Sequence, residues 1–273
     1  MPSTQSPSFA LNHMVAPTLR PEAFFALCRY VGASAAEIRN DLTGNAIIDG
    51  TPAAEIGAQA RAAGVTLSSI NALQRFNEWT PAREAEAVAL ADYARDAGAA
   101  ALVLVPVNDG TGQADGERQS NLAAALRALK PILDDRGIAG FVEPLGFSIC
   151  SLRSKREAAE AIAENGGEGT FRLVHDTFHH HLAGEPELFA ELTGLVHISG
   201  VSNTGVTVED MRDPHRVLVD ALDRLDNVGQ IRALRAAGYA GPLSFEPFSP
   251  AVHTLADPAK ALADSIAFIE AGL

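Results

Sequence analysis

Glu143, Asp176, His197 and Glu246 lie at or next to the ends of short apolar runs that read as β-strands. Glu143 stands in Phe141-Val142-Glu143-Pro144, and Glu246 in Ser244-Phe245-Glu246-Pro247. Asp176 ends Leu173-Val174-His175-Asp176, and His197 lies in Val196-His197-Ile198-Ser199. Carboxylates gathered at the ends of apolar strands repel one another and lose hydration, so they persist only where something compensates. A divalent cation is the simplest compensation. Three carboxylates and one imidazole suit Mn²⁺, Mg²⁺, Co²⁺ or Zn²⁺, and ligand type does not choose among them. Taken singly, each residue has an ordinary explanation as a cap, an ion-pair partner or a hydrogen-bonded core histidine. Their convergence from four neighbouring strands is what carries the metal reading. The two Glu-Pro endings carry a further expectation: such a pair could remove a proton on one face of a substrate carbon and return one elsewhere, with the cation stabilising the enediolate between.

These residues need a scaffold that delivers strand ends to one place. The apolar runs are Phe9–Asn12, Ala35–Arg39, Val65–Asn71, Ala101–Pro106, Ala139–Glu143, Phe171–Asp176, Leu195–Ser199 and Leu243–Glu246. Segments of helical period separate them, including Pro21–Val31, Pro52–Ala63, Ala82–Ala97, Arg118–Arg136, Ser154–Glu164 and Gly229–Ala237. Strands alternating with helices predict a parallel sheet. Gly64, Gly98, Gly137 and Gly238 fall where helices should stop. An open sheet carrying a dinucleotide would need a glycine-rich turn after its first strand, and His13-Met14-Val15-Ala16-Pro17 has none. The length of 273 residues suits one (β/α)₈ barrel. The expectation is therefore a single barrel domain over 1–273, with 1–8 as a flexible tail and catalysis at the C-terminal ends of the strands.

Composition limits the partners. The formal net charge is −13, and no run of Lys and Arg breaks that field, which disfavours nucleic acid and anionic membranes. No apolar stretch is long enough to span a bilayer. Cys28 and Cys150 are too few for a disulfide framework or a zinc ribbon, and Cys28 reads as a buried small hydrophobe. A cytoplasmic protein acting on a small molecule is expected, and a homodimer is a reasonable assembly.

At this point the chain resembles the xylose isomerase-like barrel family of sugar isomerases and epimerases, and within it most closely the inosose isomerases. The resemblance runs from Phe9 to about Phe268. Its most specific parts are Phe141-Val142-Glu143-Pro144, His175-Asp176-Thr177-Phe178-His179, Val196-His197-Ile198-Ser199 and Ser244-Phe245-Glu246-Pro247. It implies one divalent ion on Glu143, Asp176, His197 and Glu246, with Glu143 and Glu246 as the acid/base pair. His179 and Arg216 would bind substrate. Two features depart from the family pattern: Leu218-Val219-Asp220-Ala221 replaces a Pro-Gly-x-Gly segment after Arg216, and Gly200 stands where relatives often carry an acidic residue. Arg39 and Asn71 close the second and third runs and are further candidates for binding hydroxyls. Loop hydrogen bonding is the plain alternative for both. Trp79 is either an aromatic lid or rim packing, and of His179-His180-His181 only His179 is assigned.

The reaction expected is isomerisation or epimerisation of a sugar or cyclitol ketone. Dehydration, which shares the first proton abstraction, is the alternative. A DNA-repair endonuclease would need more histidine ligands and a basic groove. A non-enzymatic sugar-binding barrel would be expected to lack one of the four ligands, and none is missing.

Overall fold

The apolar runs pair side by side in chain order. The computed structural model describes residues 7–44, 47 and 49–273. Its strands are β1 (Phe9–Asn12), β2 (Ala35–Arg39), β3 (Thr66–Gln74), β4 (Ala101–Val105), β5 (Ala139–Val142), β6 (Phe171–Asp176), β7 (Thr193–Ile198) and β8 (Leu243–Phe245). Each pairs in parallel with the next, and β1 pairs with β8, closing a single (β/α)₈ barrel. Of the expected tail at 1–8, residues 1–6 lie outside the described residues; the Ser8 carbonyl accepts from Leu243 N at the barrel seam.

The connecting helices are α1 (Pro21–Tyr30), α2 (Ala53–Ala62), α3 (Pro81–Ala97), α4 (Glu117–Asp134), α5 (Lys155–Glu164), α6 (Thr177–Ala183) and α7 (Asn227–Ala236). α8 (Pro250–His253) and α9 (Pro258–Ala271) follow β8. Their starts are set by side-chain caps: Thr80, Ser154, Asp226 and Asp257 accept from the first-turn amides of α3, α5, α7 and α9. Gly64, Gly98, Gly137 and Gly238 all take positive φ, the backbone that turns a helix end toward the next strand. Among the described residues no helix is long and apolar enough to cross a membrane.

Strand alternation sorts the core into two compartments. Leu11, Ile38, Ile70, Leu102, Leu104, Val142, Leu173, Val196, Ile198 and Phe245 join the large cluster between sheet and helices. Ala101, Val103, Phe141, Val174 and Leu195 pack with Ala72 in a separate cluster inside the barrel. Glu143, Asp176 and His197 are the next inward positions above Phe141, Val174 and Leu195, so an apolar floor lies under them.

Two strands differ from the sequence reading by more than one residue. β3 runs on past Asn71 to Gln74, because Ala72 and Leu73 are fully buried and continue the wall; its register against β4 shifts between Ile70 and Leu73. β7 begins two residues earlier, at Thr193. Gly194 belongs to the strand because an added Cβ there would lie 2.6 Å from the Phe141 ring. Trp79 packs half-buried against the outer core, which matches the rim-packing alternative.

Candidate active site

Glu143, Asp176, His197 and Glu246 meet at the C-terminal end of the barrel, each presenting a ligand atom within 4.8 Å of the others. All four are almost wholly buried. His197 Nδ1 lies at the centre, 2.8 Å from Glu143 Oε1, 3.3 Å from Glu246 Oε2 and 3.9 Å from Asp176 Oδ2. The ladder explains the meeting: Asp176 is registered against His197, and His197 against Ser244, two residues before Glu246. Asp176 also caps α6, its Oδ1 accepting from Phe178 N at 2.7 Å and His179 N at 3.1 Å. That leaves Oδ2 facing the cluster.

The remaining predicted residues gather around this set. Arg216, fully buried, donates through Nη2 to Asp176 Oδ2 at 2.6 Å and Glu246 Oε2 at 3.0 Å, and through Nε to Ser199 Oγ at 3.0 Å. Its guanidinium lies against the rings of Phe178 and Phe248. Arg39 donates to Glu246 Oε1 at 3.0 Å while the rest of its fork grips Asp41. Asn71 reaches the same oxygen at 3.3 Å. Both therefore reach the cluster, where they hold a carboxylate in place. His179 is buried beside Phe147 and Phe178, with its Nδ1 lacking a hydrogen-bond partner.

Sequence reasoning passed over two participants. Asn12 Nδ2 donates to Glu246 Oε1 at 3.1 Å. Glu37 lies wholly buried below the cluster, with both oxygens within 3.0–3.1 Å of His197 Nε2. Both sit in runs already read as strands. An Asn ending one apolar run and a Glu inside another are the signals that could have marked them.

The electrostatics follow from this crowding. Burial pushes the Glu246 carboxyl up to about 7, with the Glu143 charge adding to the rise against His197 and Arg216. Burial acts the same way on Asp176, but Arg216, then His179 and His197, outweigh it and hold Asp176 down at about 2. For His197 burial favours the neutral ring, yet the charges of Glu246, Glu37 and Glu143 drive it well above the usual histidine range. Four carboxylates, Glu37, Glu143, Asp176 and Glu246, thus face two guanidiniums and the proton held on His197, and Arg39 is shared with Asp41. This surplus of buried negative charge is what a divalent cation would neutralise. Ligands bound at about 2.0–2.2 Å to one ion lie roughly 3–4 Å from one another, close to the spread seen here. The residues fit the ion.

A cavity of about 290 Å³ opens beside the cluster, with Phe147, Leu182, Val208, Arg153, Arg212 and Asp213 among its lining residues. It does not include Glu143, Asp176, His197 or Glu246. Phe147 packs edge-on against His179, and Asp213 accepts from Arg216 Nη1 at 3.4 Å, so one layer of side chains separates cavity from cluster.

The family model described as a xylose isomerase-like TIM barrel matches residues 25–272. The chain belongs to the xylose isomerase-like TIM barrel family. A xylose isomerase domain containing protein from Salmonella typhimurium LT2 is 31% identical, with 99% of this chain and 98% of that one covered and a TM-score of 0.87. The IolI protein, solved with a bound zinc atom, superposes at TM-score 0.86 with 18% identity over 97% of this chain and 98% of its own. An L-ribulose 3-epimerase gives 0.72 and 19% identity over 97% and 94% of the two chains. A search of curated proteins finds no match.

Proposed function

We propose that this chain is a divalent-metal-dependent isomerase or epimerase that shifts a proton on a keto-polyol of the inosose type. The observation that carries the reading is the meeting of Glu143, Asp176, His197 and Glu246 around one point, with two glutamates in the set. The IolI structure with its zinc atom supports a metal at such a site. L-ribulose 3-epimerase and a D-allulose 3-epimerase from Methylomonas sp. bound to D-allulose support a sugar-like ligand on this fold.

Glu143, Asp176, His197 and Glu246 would hold the ion, which when bound supplies Lewis acidity that polarises a substrate carbonyl. The chain's own groups do the rest. One of Glu143 and Glu246 takes the proton from the carbon next to the carbonyl, and the electron pair moves to the carbonyl oxygen, giving an enediolate. The other carboxylic acid returns a proton to the opposite face of the same carbon, or to the neighbouring carbon while the hydroxyl proton passes to the former carbonyl oxygen, so atoms and charge are conserved. Among the described residues only Oε1 of Glu143 is engaged, by His197. Glu246 is instead fixed by Asn12, Arg39, Asn71 and Arg216. Arg216 and the unpartnered Nδ1 of His179 offer polar contacts to substrate oxygens.

Glu246→Gln keeps the shape and removes the proton carrier. With an inosose, a ketohexose and a 3-keto sugar in deuterated buffer, the native enzyme is expected to exchange the hydrogen next to the carbonyl, and the variant to lose at least about a thousandfold of that rate. Full exchange in Glu246→Gln would remove Glu246 from the mechanism. A product lighter by one water would assign the chemistry to dehydration instead.

A further inference from the structure

Glu37 is not among the four converging ligands and is not placed to touch a substrate. It lies in β2 with no exposed surface, one inward position below Arg39. Taking a carboxylate that deep is costly unless each oxygen is satisfied. Here each one is. Ser244 Oγ donates to Oε1 at 2.5 Å and Ser69 Oγ donates to Oε2 at 2.6 Å. His197 Nε2 lies 3.0 Å from Oε1 and 3.1 Å from Oε2, astride the carboxylate. The strand registers deliver these partners: Ser69 lies opposite Glu37 across β2 and β3, and Ser244 lies opposite His197 across β7 and β8.

A carboxylate held by two hydroxyl donors is left as an acceptor, so the ring nitrogen facing it must carry a hydrogen. That fixes His197 as an Nε2–H donor. Its other nitrogen, Nδ1, faces Glu143, Glu246 and Asp176. We infer that Glu37 is a positioning residue that locks the ring and tautomer of His197, so that Nδ1 presents a lone pair to the cation. The inference rests on the metal reading above. A carboxylate behind a metal-binding histidine strengthens the ligand and removes the need to reorient it on binding. Ser69 and Ser244 extend the arrangement one layer further by anchoring Glu37 itself.

The test is ion affinity, measured by calorimetry with Zn²⁺ and with Mn²⁺ on the full chain. Glu37→Gln keeps the volume but offers an amide that can donate to Nε2 and turn the tautomer over. Binding is expected to weaken about 10–100-fold. In the Zn²⁺-loaded native protein, ¹⁵N-histidine NMR is expected to show Nδ1 of His197 as the ligated nitrogen and Nε2 as protonated. Should Glu37→Gln fail to fold, the paired Ser69→Ala and Ser244→Ala variant leaves Glu37 in place but loosened, and a several-fold loss of affinity is expected. Affinity within about twofold of native in the folded variants, or ligation through Nε2, overturns the role of Glu37 while leaving the metal site standing. A native chain that is folded yet takes up no ion overturns the metal reading, and this inference with it.

Discussion

At the scale of single residues, the cluster competes with itself for protons. Burial disfavours charge on Glu246, and its carboxyl rises to about 7, while the surrounding carboxylates hold a proton on His197 well above the usual range. An incoming ion must displace those protons. Below these raised pKa values protons occupy the atoms that would bind the ion, so affinity falls as pH falls and grows as pH rises from 6 to 8. With one proton displaced, log K is expected to climb by about one per pH unit; with two, by about two. Titrations with Mn²⁺ at pH 6, 7 and 8 check this, and a flat profile would mean that the ion binds elsewhere. The same scale shows what sequence could and could not convey. Glu143, Asp176, His197 and Glu246 were visible because a charged or ionisable residue at the end of an apolar run is conspicuous. Glu37 was passed over because it sits inside Ala35–Arg39, where attention to the closing residue leads to Arg39. Arg39 and Asn71 were read as candidates for binding hydroxyls; their donors go to Glu246, a pairing between strands that no local pattern reveals.

At the scale of elements, the segment after β7 carries Arg216 back over the site. Gly200 and Val217 exchange hydrogen bonds at 2.7 and 2.8 Å, an isolated antiparallel bridge that fixes the segment one residue from Arg216. The departure noted at Gly200 has a physical reason here: an added Cβ would sit 3.0 Å from Leu218 O and 3.3 Å from Asp223 Oδ1. Gly200→Asp would therefore push on the returning backbone and place a second carboxylate beside Asp223. The expected outcome is a KM for the proposed keto-polyol raised about tenfold or more, with ion affinity changed as well, because Arg216 also holds Asp176 and Glu246. Steady-state kinetics beside ion titration separates the two effects, and an unchanged KM would detach the bridge from substrate binding. Strand and helix order was legible because apolar runs, caps and glycines repeat around the chain. The extension of β3 beyond Asn71 was not, since a polar inward residue interrupts the apolar pattern without ending the strand. Nor was the buried strut behind β6, where Lys155 Nζ lies 2.9 Å from His175 Nδ1 and His175 Nε2 lies 2.9 Å from Gln230 Oε1. Its three members come from separate elements.

At the scale of the whole molecule, alternation along the strands gives the barrel interior an apolar side and a polar side below the cluster. Ala72, Ala101, Val103, Phe141, Val174 and Leu195 pack on one, and the buried Glu37, Ser69 and Ser244 stand on the other, behind His197. The acidic balance of −13 belongs to this scale as well. It favours uptake of cations over anions from solution and steers phosphate-rich polymers away.

The filled floor has a kinetic consequence. If the site takes an ion and a sugar as proposed above, both would approach from the C-terminal ends of the strands, because apolar side chains pack below. The proposed order is the ion first and the sugar above it. Saturating keto-polyol is expected to slow stripping of the ion by EDTA at least about tenfold, a protection read from the decay of activity or from release of Co²⁺ absorbance. Equal stripping rates with and without sugar would show a second exit.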